Sequence, residues 1–308
     1  MAYSVRMQKN HLYSVFFAPR GNVRMVDLGM QIAQQYLSPF DFLVGIMGEA
    51  GSGKSMLVKG MFPGLELSND DAGVNIRPLP LLDIEDSGGF YNAHTYHLDI
   101  RFESAFTQMH VLAEAVLKAI SLGKRVIVEH FDLIFPFLGR NANLLIGVGE
   151  EIIITRPNLF GPEPQDVCDI VFKSIRFRKM AHTAEDLCEF FIMKTYSGKF
   201  THHDVKHGFM LGFVEQPDID LALLQKQVNG LIDADLPISY LDEEHVLIGE
   251  FKHYCTGPRM HIRSTGEIGK FKLLKEFHYD SDTERYLMVG LVGDENEHLG
   301  KDLNKIKF

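Results

Sequence analysis

The chain has 308 residues, 45% of them hydrophobic and 23% charged, and carries a formal net charge of −10. This is globular composition with room for two domains, and it excludes a disordered chain. The acidic excess is shared: residues 1–175 hold 14 Lys and Arg against 19 Asp and Glu, and residues 176–308 hold 17 against 22, so neither half has the basic surplus of a strong nucleic-acid binder. Cys168, Cys188 and Cys255 are an odd and sparse set that implies no disulfide framework. With no apolar run near the ~18 residues of a membrane helix and no signal-peptide core in MAYSVRMQKN, the expectation is a cytoplasmic protein without a membrane partner.

Residues 1–40 read as a lead-in, with a strand over Tyr13–Phe17, a turn at Gly21 and a helix from Val26 to Tyr36 that ends before Ser38-Pro39. Phe42 to Met47 is an apolar run of buried-strand type, followed by a glycine-rich loop and a helix from Met56 to Phe62 with Pro63-Gly64 as its stop. Val74 to Leu82 reads as a strand interrupted by Pro78 and Pro80, and residues 83–89 as a loop. Phe106 to Leu122 is amphipathic, with Met109, Leu112, Val116, Leu117 and Ile120 on one face. Three short strands follow at Arg125–Val128, Leu144–Ile146 and Glu151–Thr155. Strands alternating with helices predict an α/β domain over 41–175, a parallel sheet flanked by helices, and the glycine-rich loop GEAGSGKS within it predicts the P-loop NTPase type. From 176 to 308 a helix at Thr183–Met193 and another at Leu221–Ile232 are outnumbered by strand-like runs, which predicts an α+β domain.

The loop GEAGSGKS (Gly48, Glu49, Ala50, Gly51, Ser52, Gly53, Lys54, Ser55) fits the Walker A pattern without a mismatch. Between a strand and a helix N-terminus, such a loop cradles phosphates on backbone N–H groups. Lys54 would reach the β- and γ-phosphates of ATP and Ser55 would hold Mg²⁺. Asp83, at the end of the run VNIRPLPLLD, is the candidate catalytic base, with Glu85 and Asp86 as neighbours able to replace it; Glu129, after the strand RVIV, is the second candidate acid. In the second half His182 and Asp186 share a helix face at i, i+4, and Cys255 and His261 flank a Gly257-Pro258 turn. Those four residue types suit Zn²⁺. His202, His203, His207 and His253 add metal-ligand types nearby in sequence.

LLDIEDSGGFYN, HTYHLDIRFESAF and VIVEHFDLIFP resemble, in that order, segments of the uridine kinase family over about residues 42–175, with His130 in place of the usual Gly. The resemblance implies ATP-dependent phosphorylation of a nucleoside-like hydroxyl, with Asp83 as base, Phe90, Tyr91 and His97 near the acceptor, and Arg176 and Arg178 where an arginine lid would lie. MAHTAEDLCEFF, HGFMLGFVEQPDIDLALLQKQVNGLIDADLPI and CTGPRMHIRSTGEIGKFKLLKE are similar to the second additional, editing-like domain of threonyl- and alanyl-tRNA synthetases over about residues 178–294. That resemblance implies a metal on His182, Asp186, Cys255 and His261, although Asp186 stands where the family has His and the Cys-to-His spacing is longer. The expected function is phosphoryl transfer from ATP to a small molecule, a nucleoside or nucleotide. The alternatives are a zinc-dependent hydrolase of mischarged aminoacyl-tRNA and an ATP-gated sensor. The partners are ATP and a small acceptor; tRNA is disfavoured by charge.

Overall fold

The structure, a computed structural model, describes residues 13–68, 81–82 and 94–293. Asp83, Glu85, Asp86, Phe90, Tyr91 and most of the strand read at Val74–Leu82 lie outside the described residues; Leu81 and Leu82 form a turn. The chain divides into two compact units, residues 1–16 with 23–173, and residues 17–22 with 174–308. Among the described residues no helix is long and apolar enough to cross a membrane.

The first unit is built on six strands: β1 (Tyr13–Phe17), β2 (Leu43–Gly48), β3 (Thr95–Asp99), β4 (Arg125–Glu129), β5 (Leu144–Val148) and β6 (Glu151–Thr155), ordered β1-β6-β5-β2-β4-β3. β2 runs parallel to β4 and β5, and β3 parallel to β4, but β6 is antiparallel to β5. The sheet is therefore mixed, which corrects the expected parallel P-loop NTPase sheet. The physical reason lies in the connection. Only Gly149 and Glu150 separate β5 from β6, and two residues close a hairpin, whereas a parallel return needs a crossover of about a dozen. β3 was not anticipated as a strand, because His97 and Asp99, both buried, interrupt the apolar pattern of its run TYHLD.

Helices α1 (Asn22–Tyr36), α2 (Lys54–Met61), α3 (Ile100–Glu103), α4 (Met109–Ser121) and α5 (Phe131–Leu138) complete this unit. Every residue of β2 is buried, as expected of a central strand covered on both faces. Leu112, Val116 and Ala119 of α4 pack with Val126, Val128, Phe131 and Leu145 in one core, so the predicted amphipathic face is the one that docks. Gly29 of α1 and Gly60 of α2 meet where the backbones approach too closely for a side chain: a Cβ at either would strike the other helix's backbone.

The second unit holds an antiparallel sheet whose strands lie in the order 271–273, 285–292, 208–213 and 200–205, with 278–280 also paired to 285–292, and a three-stranded sheet in the order 251–254, 245–248 and 238–242. Its strands are β7 (Phe200–Val205), β8 (Gly208–Phe213), β9 (Ile238–Asp242), β10 (His245–Ile248), β11 (Phe251–Tyr254), β12 (Phe271–Leu273), β13 (His278–Asp280) and β14 (Arg285–Val292). The strand-like run His245–Tyr254 is a hairpin, β10 and β11, turned by Gly249 at φ 58°, a left-handed conformation that glycine adopts without penalty. Helix α7 (Leu221–Asp233) is capped by Asp220, whose carboxylate accepts from the N–H groups of Ala222 and Leu223. Helix α6 (Pro164–Ile192) is 29 residues long, far longer than the segment read at Thr183–Met193. Val167, Cys168 and Val171 pack in the first unit's core, and Phe177, Ala184 and Cys188 in the second's.

The Gly29–Gly60 contact sets how α2 seats, and α2 carries Lys54 and Ser55. Gly60→Val forces the two backbones apart, and a loss of about 1–3 kcal/mol is expected from such overpacking, read as a lower denaturant midpoint with an unchanged slope.

Candidate functional site

The C-terminal ends of β2, β3 and β4 gather the first site, where open α/β sheets place ligands. Register pairs Ile46 of β2 and Asp99 of β3 with Glu129 of β4. Out of β2 the chain turns through Gly48, Gly51 and Gly53 at φ 151°, 77° and 92°, which residues with a Cβ rarely adopt. Gly53 is the N-cap of α2 and supplies no side-chain cap, so the first N–H groups of that helix face the loop unsatisfied by side chains.

Glu129, 2% exposed, ties the site together. Ser55 donates its hydroxyl to Glu129 Oε1 at 2.9 Å, and Lys54 Nζ lies 3.8 Å from Oε2 while donating to the Glu49 carbonyl at 2.9 Å. His97 Nδ1 accepts from the backbone N–H of Ser68 at 3.1 Å. Its ring proton is thereby on Nε2, which donates to Glu129 Oε1 at 3.2 Å. Burial pushes the Glu129 pKa up, but His97, Lys54 and Ser55 outweigh it and hold the carboxyl at about 2. Burial lowers the Lys54 pKa against the opposing pull of Glu129. His97 is thus a support for Glu129 and not the acceptor-pocket group that the resemblance implied.

His130, which stood out as the departure from Gly, takes φ 57°, the left-handed conformation that explains why a glycine is at home there. It is 4% exposed, with no hydrogen-bond partner at Nδ1, and burial, with the charges of Lys54 and Arg101, lowers its pKa to about 3. Donor atoms of Asp99, Glu129 and His130 lie within 4.8 Å of one another. Asp99 also caps α3 by accepting from the Phe102 N–H at 3.2 Å.

In the second unit the structure brings His182, Asp186, Cys255 and His261 together, one donor atom of each within 4.8 Å of the rest. His182 Nε2 is 3.1 Å from Cys255 Sγ, Cys255 Sγ is 3.4 Å from His261 Nε2, and His261 Nε2 is 3.3 Å from Asp186 Oδ2. The His182 and His261 rings stack at 4.5 Å. Thr183 fixes one tautomer. Its hydroxyl donates to the Lys179 carbonyl at 2.9 Å and so must accept from His261 Nδ1 at 3.1 Å, which leaves the His261 Nε2 lone pair facing Cys255 and Asp186. By donor type and convergence the group could hold a metal ion.

Two groups that the sequence did not single out set the charge here. Arg20, 3% exposed, donates to Glu185 Oε2 at 3.0 Å and to the carbonyls of Gly208 and His203 at 3.2 and 3.3 Å. Burial raises the Glu185 pKa, but Arg20 and its histidine partners hold it well below the carboxylate range. Burial and the Glu185 charge push the neighbouring Asp186 well above that range, and burial with Asp186 pushes the Cys255 thiol up. Burial lowers His182, His253 (to about 4) and His261. The protein alone thus holds this cluster neutral, and a cation entering it would displace protons from Asp186 and Cys255. Glu185 lies three residues from His182 on the same helix and was legible by spacing; Arg20, 165 residues away from Glu185, gave no local signal.

Of the other expected residues, His253 Nε2 lies 3.7 Å from Asp186 Oδ2. His202 lies 3.3 and 3.2 Å from Glu185 and Glu189 carboxylate oxygens, and burial with the Asp186 charge raises Glu189 to about 8. His203 pairs with the Thr201 hydroxyl at 3.0 Å and His207 packs edge-on against Phe177 at 3.8 Å. Arg178 is buried in the second unit and donates to the Pro19 carbonyl at 2.6 Å, which corrects its placement in a lid. Arg176 lies over the Phe177 ring at 4.6 Å.

No protein-family model matches the chain, and no curated protein does. Among solved structures, two of the ornithine aminotransferase of Toxoplasma gondii match at 10% identity over 84% of this chain and 70% of that one, with TM-scores of 0.24 and 0.25. One of these was crystallised with oxidised glutathione and has partial PLP occupancy. DndA from Streptomyces lividans matches at 11% identity over 91% of this chain and 83% of that one, with a TM-score of 0.26. Likenesses this low carry no argument about fold or chemistry here. No family model and no curated protein supports a uridine kinase or a tRNA-synthetase editing domain. Both family assignments are corrected accordingly, and ATP, Mg²⁺ and Zn²⁺ are withdrawn as the cofactors they implied.

Two outcomes check this electrostatic picture. The Glu129 pKa is about 2 in the fold against an ordinary 4.5, so its stabilisation is complete above about pH 4.5 and is lost as pH falls toward 2. The difference corresponds to about 3 kcal/mol, and Glu129→Gln should flatten that acid limb in denaturation curves taken between those pH values. Arg20→Ala leaves the Glu185 carboxylate buried without its counter-charge and should cost about 3–5 kcal/mol at neutral pH. Restoring stability by the further change Glu185→Gln is the expected signature.

Proposed function

We propose that the first unit is a small-molecule phosphotransferase whose glycine loop, Gly48 to Ser55, holds the polyphosphate chain of a donor substrate. The observation that carries this reading is the convergence of Lys54, Ser55 and Glu129 at the ends of parallel strands, beside a helix N-terminus with uncapped N–H groups. Phosphate oxygens suit such a cradle because backbone donors and the helix dipole meet them there. The Lys54 ammonium, now bound to the Glu49 carbonyl and near Glu129, is placed to neutralise charge on the group in transfer.

Glu129, held at about 2, is too weak a base to take a proton from an acceptor hydroxyl near neutral pH. Its role in this reading is positioning: it orients the Ser55 hydroxyl and the Lys54 side chain. Asp83 keeps the role of proton acceptor as part of the proposal. The His130 imidazole, held neutral by burial, lies beside Asp99 and Glu129.

The test is calorimetric binding of inorganic tripolyphosphate and of a panel of nucleoside triphosphates, followed by a transfer screen over small hydroxyl compounds. Lys54→Ala should weaken tripolyphosphate binding by about tenfold or more and abolish transfer with an unchanged circular dichroism spectrum, although its stability falls because the buried Glu129 carboxylate loses a counter-charge. Transfer that survives Lys54→Ala, or the absence of any polyphosphate binding by the parent, would overturn the reading.

A further inference from the structure

A cavity of about 410 Å³ opens in the second unit, between β9 and the loop that follows β11. Its walls are Ile238 and Tyr240 of β9 and Pro258, Arg259, His261, Ile262 and Arg263 of the loop. None of these residues is acidic, in a chain with 41 Asp and Glu against 31 Lys and Arg. The Arg259 guanidinium lies 5.0 Å from the Tyr240 ring centroid, and Arg263 is exposed on the same rim. One wall is therefore cationic and aromatic, while Ile238, Pro258 and Ile262 make the other apolar.

The cavity is held open by backbone bonds. The Ile238 N–H donates to the Arg263 carbonyl at 2.8 Å, joining strand to loop, and the Met260 N–H closes a turn on the Gly257 carbonyl at 2.9 Å. The Ile262 N–H reaches Thr183 Oγ1 at 3.5 Å, and Thr183 is the residue that sets the His261 tautomer. One short loop thus builds both the cavity wall and half of the buried cluster, supplying Cys255 and His261 to the latter. A pre-formed pocket with guanidinium groups beside an apolar face suits a ligand with an oxyanion at one end and a flat apolar body at the other.

We infer that this cavity is a binding site for a small aromatic anion, a carboxylate or a phosphate monoester, seated next to the His182–Asp186–Cys255–His261 cluster. Its oxyanion takes charge-assisted hydrogen bonds from Arg259 and Arg263, and its ring lies along Ile238 and Pro258. The inference stands on the second unit alone and does not depend on phosphotransfer by the first. The test is calorimetric titration of the full chain with phenyl phosphate, benzoate and adenosine monophosphate, with benzyl alcohol and adenosine as neutral controls. At least one anion should bind, more weakly as salt is added, while the controls do not; the arm that binds tightest identifies the oxyanion. Arg259→Gln and Arg263→Gln, both exposed, should each weaken binding by about tenfold with unchanged circular dichroism. Nitrogen-15 signals of the His261 imidazole should shift on binding, which locates the ligand beside the cluster. Failure of all three anions to bind at millimolar concentration overturns the inference, as does equal binding of the neutral controls or affinity unchanged in both Gln variants.

Discussion

Glu129 is a carboxylate removed from water, and the first site is arranged to compensate it. An isolated buried charge of this kind costs several kcal/mol. Two elements commit three side chains to it: His97 from β3, and Lys54 and Ser55 from the start of α2. The parallel register that sets Asp99 and Ile46 opposite Glu129 brings those elements to one end of the sheet. Behind His97, the backbone N–H of Ser68 fixes the imidazole tautomer, so a loop residue decides which nitrogen faces the carboxylate. The glycine loop is held from within by the same interaction, because Lys54 reaches back to the Glu49 carbonyl.

The second unit meets a harder version of the same constraint. Glu185 and Asp186 are neighbours in one helix and both are buried. Two adjacent carboxylates cannot both stay ionised there. Arg20 resolves the conflict by taking Glu185 as its partner, and Asp186 is left on the neutral side among three imidazoles and a thiol. Arg20 in turn is fully engaged with backbone carbonyls of β8 and the preceding strand. The segment 17–22 is therefore part of the second unit's core, although it precedes the first unit's central strand in the chain.

What was legible in the sequence was local. The strand, the glycine loop and the helix N-terminus at 42–62 follow from adjacent residues, since apolar run, left-handed glycines and helix former are consecutive. The amphipathic helix at α4 was read for the same reason. β3 was missed because His97 and Asp99 interrupt its apolar pattern, and they are buried only because Glu129 and Ser68 receive them. The first half of α6 was missed because its apolar positions serve a different core from those after residue 176, so no single stripe runs along it. The hairpin at 149–150 was present in the spacing but was outweighed by the strand–helix alternation around it, which argued for a parallel sheet.

By itself the sequence determined which groups are available: a glycine-rich loop with Lys54 and Ser55 between a strand and a helix, and a set of His, Asp and Cys residues on one helix and one loop. The four residues His182, Asp186, Cys255 and His261 could be grouped by type and spacing because each pair is close in sequence. Only the tertiary structure decided their charge. Whether a buried carboxylate is ionised depends on which cation reaches it, and Arg20 reaches Glu185 across 165 positions while Glu129 draws on residues 32 to 75 positions away. Those separations carry no periodic or local signal, because the interactions are set by how strands and helices pack and not by the order in which they are written.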